Sequence, residues 1–195
     1  MPLNTAASRL WFRGSLHVLL TAGLTAAATA LVIRRLAAQP GDLHARASLA
    51  HLLAEQGQHE AAAEHLQQLL ALRPDDASAW FNLGYVREQL GQPADAEAAF
   101  TRATQLAPRL DRAWYGLALS LMGQQRLEEA ITALRQTTEL QPMGPHGWYQ
   151  LARVHAQRQE REQAQHIIEH LRGFEPRVAA QLVRETGLGA GPAPT

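Results

Sequence analysis

The residues best suited to chemistry lie near the C-terminus, in the run His166-Ile167-Ile168-Glu169-His170. Two imidazoles four residues apart share a helical face. With a carboxylate beside them they could hold zinc and activate a water for hydrolysis. A catalytic zinc also needs a third ligand and a shielded cavity. Ala164, Ile168 and Leu171 recur at helical spacing and form the apolar stripe of this segment. His166, Glu169 and His170 therefore face away from the stripe, toward solvent. The pattern reads as a solvated polar face, and hydrolysis would have to be zinc-dependent and vanish in Glu169→Gln. Ser48 and Ser120 have no base fixed beside them by the sequence pattern, and there is no nucleotide loop and no G-x-S-x-G. The absence of Cys removes disulfides, thiolate-bound zinc and thiol catalysis. No catalytic residue, metal site or cofactor is assigned; the expectation is a protein that is not an enzyme.

Charge narrows the partners. The chain has 195 residues, with 18 basic residues, all Arg, against 18 acidic ones. Arg9, Arg13, Arg34 and Arg35 precede residue 39, and no Asp or Glu does. The rest carries 14 Arg against 18 acids, a net of −4. A mildly acidic domain repels phosphate backbones, so nucleic acid is not expected as a partner.

Leu16 to Ile33 holds no charged residue over 18 positions. As one helix it would rise about 27 Å, the lower limit for crossing a bilayer. Trp11 and Phe12 precede it as interfacial aromatics do, and Arg34 and Arg35 close it. The expectation is a retained single-pass anchor over 16–35, after a flank at 1–15 and before a linker at 36–42. A buried Ala-rich helix and a signal peptide cleaved near Ala28-Thr29-Ala30 are the alternatives. Charge counts favour the N-terminus in the cytoplasm and the rest outside, as in a bacterial inner-membrane protein.

From residue 40 onward the chain is organised by a period of 34. Pro40, Pro74, Pro108, Pro142 and Pro176 are spaced by it, as are Trp80, Trp114 and Trp148. So are Leu49, Leu83, Leu117 and Leu151, and Ala62, Ala96, Ala130 and Ala164. Each repeat reads as two helices. In the second, Ser78 is the expected N-cap of a helix to about Leu90, Gly91 the break, and Pro93 the opening of a helix ending near Leu106. Asp42 caps the first repeat, Pro145 opens the fourth and Gly173 closes it. The expected core is Trp80, Trp114, Trp148, Leu83, Leu117, Leu151, Ala96, Ala130 and Ala164, small residues facing large ones. One hairpin cannot bury such a face alone; stacked neighbours do.

These residues resemble the tetratricopeptide repeat family over about Leu43 to Val178. The second repeat carries Trp80, Leu83, Gly84, Ala96, Phe100 and Pro108 on the family pattern; the first has Arg46 where Trp would stand. The resemblance implies an all-α, right-handed solenoid of four hairpins (43–76, 77–110, 111–144, 145–178). Beyond them, the residues after Pro176 read as a capping helix at 179–187, and the Gly/Pro/Ala-rich stretch 188–195 as a disordered tail.

The resemblance also implies a concave groove lined by the first helix of each hairpin. The groove residues would be His44 and His51, then Phe81, Asn82 and Tyr85, then Arg112, Tyr115 and Met122, then His146, Tyr149 and Arg153. Some members clamp a peptide's terminal carboxylate there. Asn82 and Arg153 suit that role, but Ala47, His51 and Tyr115 depart from it. The functional expectation is a membrane-anchored scaffold or assembly factor that binds a protein or peptide in the groove. The alternative is a structural protein that self-assembles into homo-oligomers.

Overall fold

The turn between paired helices repeats the same backbone solution along the chain. Gly23, Gly57 and Gly91 have φ of 71°, 75° and 67°, and Gln125 and Gln159, further along the same 34-residue series, have 60° and 62°. A residue in this left-handed conformation ends a helix by turning its amide, and the next one, back onto the last carbonyls. Gly57 N donates to Ala54 O and Gln58 N to Leu53 O; Gln159 N donates to Ala156 O and Glu160 N to His155 O. The computed structural model describes residues 6–188, with side chains from residue 10 onward. Eleven helices and no strand occur among them, in two units, Met1–Gly91 and Gln92–Thr195.

The first unit contains α1 (Ala6–Thr21), α2 (Thr25–Ala38), α3 (Leu43–Glu55), α4 (His59–Leu72) and α5 (Ala77–Gln89), each packed on the next. Asp42 and Asp76 cap α3 and α5, their side chains accepting from Ala45 N at 3.1 Å and Ala79 N at 3.0 Å. Asp76 thus takes the place expected for Ser78, which lies one residue inside the helix. An Asp just outside the first turn reaches the orphan amides, which a Ser inside it cannot do.

The continuous helix expected over Leu16–Ile33 does not form. Gly23 breaks the run, α1 ends at Thr21, and α2 folds back against α1. No helix among the described residues is long and apolar enough to cross a membrane. The hairpin instead follows the repeat register. Phe12 stands 34 residues before Arg46, Ala28 before Ala62, and Val32 before Leu66, and all three are buried. Gln56 Nε2 donates to Thr29 Oγ1 at 3.0 Å. Gln124 Nε2 makes the matching bond to Glu97 Oε2 at 2.9 Å, both residues displaced by two repeats. By burial and by hydrogen bonding, α2 is a second helix of the series.

The second unit contains α6 (Pro93–Leu106), α7 (Asp111–Gly123), α8 (Leu127–Leu140), α9 (Pro145–Gln157), α10 (Arg161–Arg172) and α11 (Pro176–Thr186), again packed in sequence, with α11 also against α9. The expected boundaries at Pro93, Leu106, Pro145 and Gly173 hold. Close approach explains the small residues: a Cβ on Gly116 would lie 2.6 Å from the Phe100 ring. Leu134, Ile168, Leu171 and Leu182 form the centre of the core. Of the expected tail, only Leu188 is described, and it is buried; 189–195 lie outside the described residues.

Candidate partner-binding surface

In the second unit, α7 and α9 carry the groove residues expected from the sequence. Tyr115, half-buried, sets its ring centroid 6.5 Å from that of His146, at the start of α9. Met122 and Arg153 line one concavity of about 480 Å³ with Ala156, Gln157, Glu185 and Thr186. Arg112 is exposed on α7. Tyr149 has a different setting. Its hydroxyl donates to Glu185 Oε2 at 2.6 Å, and Gln181 Nε2 donates to Glu185 Oε1 at 2.7 Å and to the Tyr149 hydroxyl at 3.3 Å. The Arg153 guanidinium lies 5.7 Å from the Tyr149 ring centroid. The hydrogen bond from Tyr149, then that from Gln181, holds the Glu185 carboxyl below the usual range; the same contact with Glu185 pushes the Tyr149 phenol up. Tyr149 therefore fastens α11 to α9.

Gln181 and Glu185 are the site residues that the sequence reading missed. They lie four apart on α11, a spacing that places both on one face. That was the available signal; a reading of this helix as a cap alone leaves its polar face without a task.

In the first unit, His51 is exposed and pairs with Glu55 at 3.3 Å. Phe81 and Asn82 are half-buried on α5, and Tyr85 is 50% exposed. His44 meets the Phe12 ring edge-on at 6.3 Å, and the Arg35 guanidinium lies 5.4 Å from the Phe12 centroid. Burial, then the charge of Arg13, pushes the His44 imidazole down. Phe12, Arg13 and His44, with Pro40 and Asp42, border a concavity of about 640 Å³.

The repeat core shows one difference from the expectation. Leu83, Leu117, Leu151, Ala96, Ala130 and Ala164 are buried, but Trp80, Trp114 and Trp148 are only half-buried. Each Trp instead bridges the turn before its helix. Trp80 Nε1 donates to Pro74 O at 2.9 Å, Trp114 Nε1 to Pro108 O at 2.9 Å and Trp148 Nε1 to Pro142 O at 2.8 Å. An indole can be both packed and hydrogen-bonded only at the rim of a core, where its N–H finds a partner. Arg46, in the Trp position of the first repeat, makes the same bond: its Nη2 donates to Pro40 O at 2.6 Å. The substitution keeps the donor and changes only its carrier.

The H-x-x-E-H segment lies on α10 with Ala164, Ile168 and Leu171 buried and His166, Glu169 and His170 exposed. His170 stacks near Trp148, with centroids 4.5 Å apart, and Glu169 pairs with Arg172. Among the described residues, no group of three or more His, Cys, Asp or Glu is placed to hold a metal ion.

Comparison with known proteins agrees with this geometry. Several solved structures share the fold. MamA 41-end from Desulfovibrio magneticus RS-1 is 22% identical, with 90% of this chain and 94% of that one covered and a TM-score of 0.74. YrrB, described as a TPR protein with an unusual peptide-binding site, is 18% identical over 89% and 90%, with a TM-score of 0.74. Pseudomonas aeruginosa pilF is 19% identical over 91% and 89%, with a TM-score of 0.74. Comparison with curated proteins finds no match. Family models described as tetratricopeptide repeat match residues 47–111, 88–148 and 145–169. These spans overlap to cover more than half of the sequence, and the chain belongs to the tetratricopeptide repeat family.

Proposed function

We propose that this protein is a non-catalytic scaffold that holds an extended segment of a protein partner against α7 and α9. The observation that carries this reading is the open concavity that Met122 and Arg153 line, a flexible thioether and a cation, with the half-buried ring of Tyr115 about two turns before Met122 on α7 and against His146 of α9. Such side chains anchor interfaces, because they bury much area and still offer polar contacts. The peptide-binding site named for YrrB, on the same fold, supports the class of partner. Self-assembly by open-ended stacking has less support, since α11 carries the exposed charges Arg177 and Arg184.

The test is to select peptides from a random display library on the full chain and place a photo-crosslinker in the tightest binder. Crosslinks on α7 and α9 are expected. Crosslinks confined to α8 and α10, or no selected binder, would contradict the reading.

A further inference from the structure

The α1–α2 hairpin leaves uncovered a face that every later hairpin covers. Trp11 and Val18 are both 62% exposed. The residues at the Trp11 position in the later repeats are Ala45, Ala79, Ala113 and Gly147, all buried. Those at the Val18 position are Leu52, Val86, Ser120 and Val154, at most 1% exposed. Elsewhere in the series the second helix of the preceding hairpin lies over this face. Its approach needs small side chains: a Cβ on Gly147 would meet Thr137 Cγ2 of α8 at 3.0 Å. Trp11 puts an indole where the other repeats have Ala or Gly. A further hairpin therefore cannot stack there in the same manner, whether from another protein or from a second copy.

Size and charge decide what fits. Leu10, Leu24 and Ile33 add exposed apolar surface to this hairpin. Arg34 is exposed on it, Arg13 lies toward the concavity of His44 and Asp42, and no Asp or Glu occurs before Asp42. A bilayer surface accepts an indole of any orientation, covers scattered apolar side chains and, when anionic, pairs with Arg34.

We infer that the α1–α2 hairpin is a docking surface for an anionic lipid bilayer, which it binds lying in the interface without spanning it. The full chain is mixed with vesicles of phosphatidylcholine alone or with phosphatidylglycerol added, and bound protein is measured by sedimentation. Binding to the anionic vesicles is expected, with loss on raising the salt, because exposed charges are screened. Trp11→Ser with Val18→Ser should weaken it by at least about tenfold. Both residues are exposed, so the variant should melt with the parent. No binding to anionic vesicles would overturn the inference, as would equal binding by the double variant. So would a parent dimer that the double substitution dissociates and that binds no vesicles.

Discussion

Trp114 anchors its helix by two separable contributions, apolar contact and one hydrogen bond to the Pro108 carbonyl. Trp114→Phe keeps most of the first and removes the second, and should cost about 1 kcal/mol in urea unfolding. Trp114→Ala removes both; for a half-buried ring we expect about 2–3 kcal/mol, at or below the lower end for core aromatics. A Trp114→Phe variant as stable as the parent would show that the bond contributes nothing. At the Trp position of the first repeat, Arg46→Ala should destabilise while Arg46→Trp should not, since only the latter keeps a donor for Pro40 O. The turn residues offer the opposite sign. Gln159 holds φ of 62° where three other turns of the series use Gly. Gln159→Gly should raise stability by about 0.5–1 kcal/mol, relief of left-handed strain exceeding the entropy that glycine adds to the unfolded chain. A lower melting temperature would contradict that account of the turn.

At the scale of elements, α11 is held by a contact that titrates. Glu185 accepts from Tyr149 and Gln181 and has a carboxyl below its ordinary value of 4.5. A lowered carboxyl contributes its full stabilisation above the ordinary value and loses it as pH falls through the lowered one. Amide exchange in 177–186 should therefore accelerate in that acid window ahead of α9 and α10, and Glu185→Gln should remove this pH step. Uniform acceleration across the second unit would argue against a local release. Several breaks among α3 to α11 were legible in the sequence because Gly57, Gly91, Pro93, Pro145 and Asp42 stand where the backbone needs a break, a start or a cap. The α1–α2 hairpin was not. Its apolar run is uninterrupted in composition, and the break rests on one residue, Gly23, whose place 34 before Gly57 was the only local sign. The fourth and fifth turns were equally hidden, since Gln125 and Gln159 carry no glycine signature. Within the candidate site, Tyr115, Met122 and Arg153 were named from the resemblance to the repeat family. The partner of Tyr149 was not, because Glu185 lies 36 residues away and outside the four expected repeats.

For the whole molecule, the two units draw on one repeating element whose positions separate by task. Leu and Ala fill the core, Trp or Arg ties each turn, and the residue after the Trp position is half-buried on the first helix. That last position holds Phe81, Tyr115 and Tyr149 and would give the protein its partner. The most direct test is the affinity of a selected peptide for the parent, Tyr115→Ala, Arg153→Ala and the pair, by fluorescence anisotropy with thermal melts as control. Each single change should weaken binding by roughly 1.5–2 kcal/mol, or about 10- to 30-fold, with melting within a few degrees of the parent. Parent-like affinity in a folded double variant would contradict the assignment of binding to this surface.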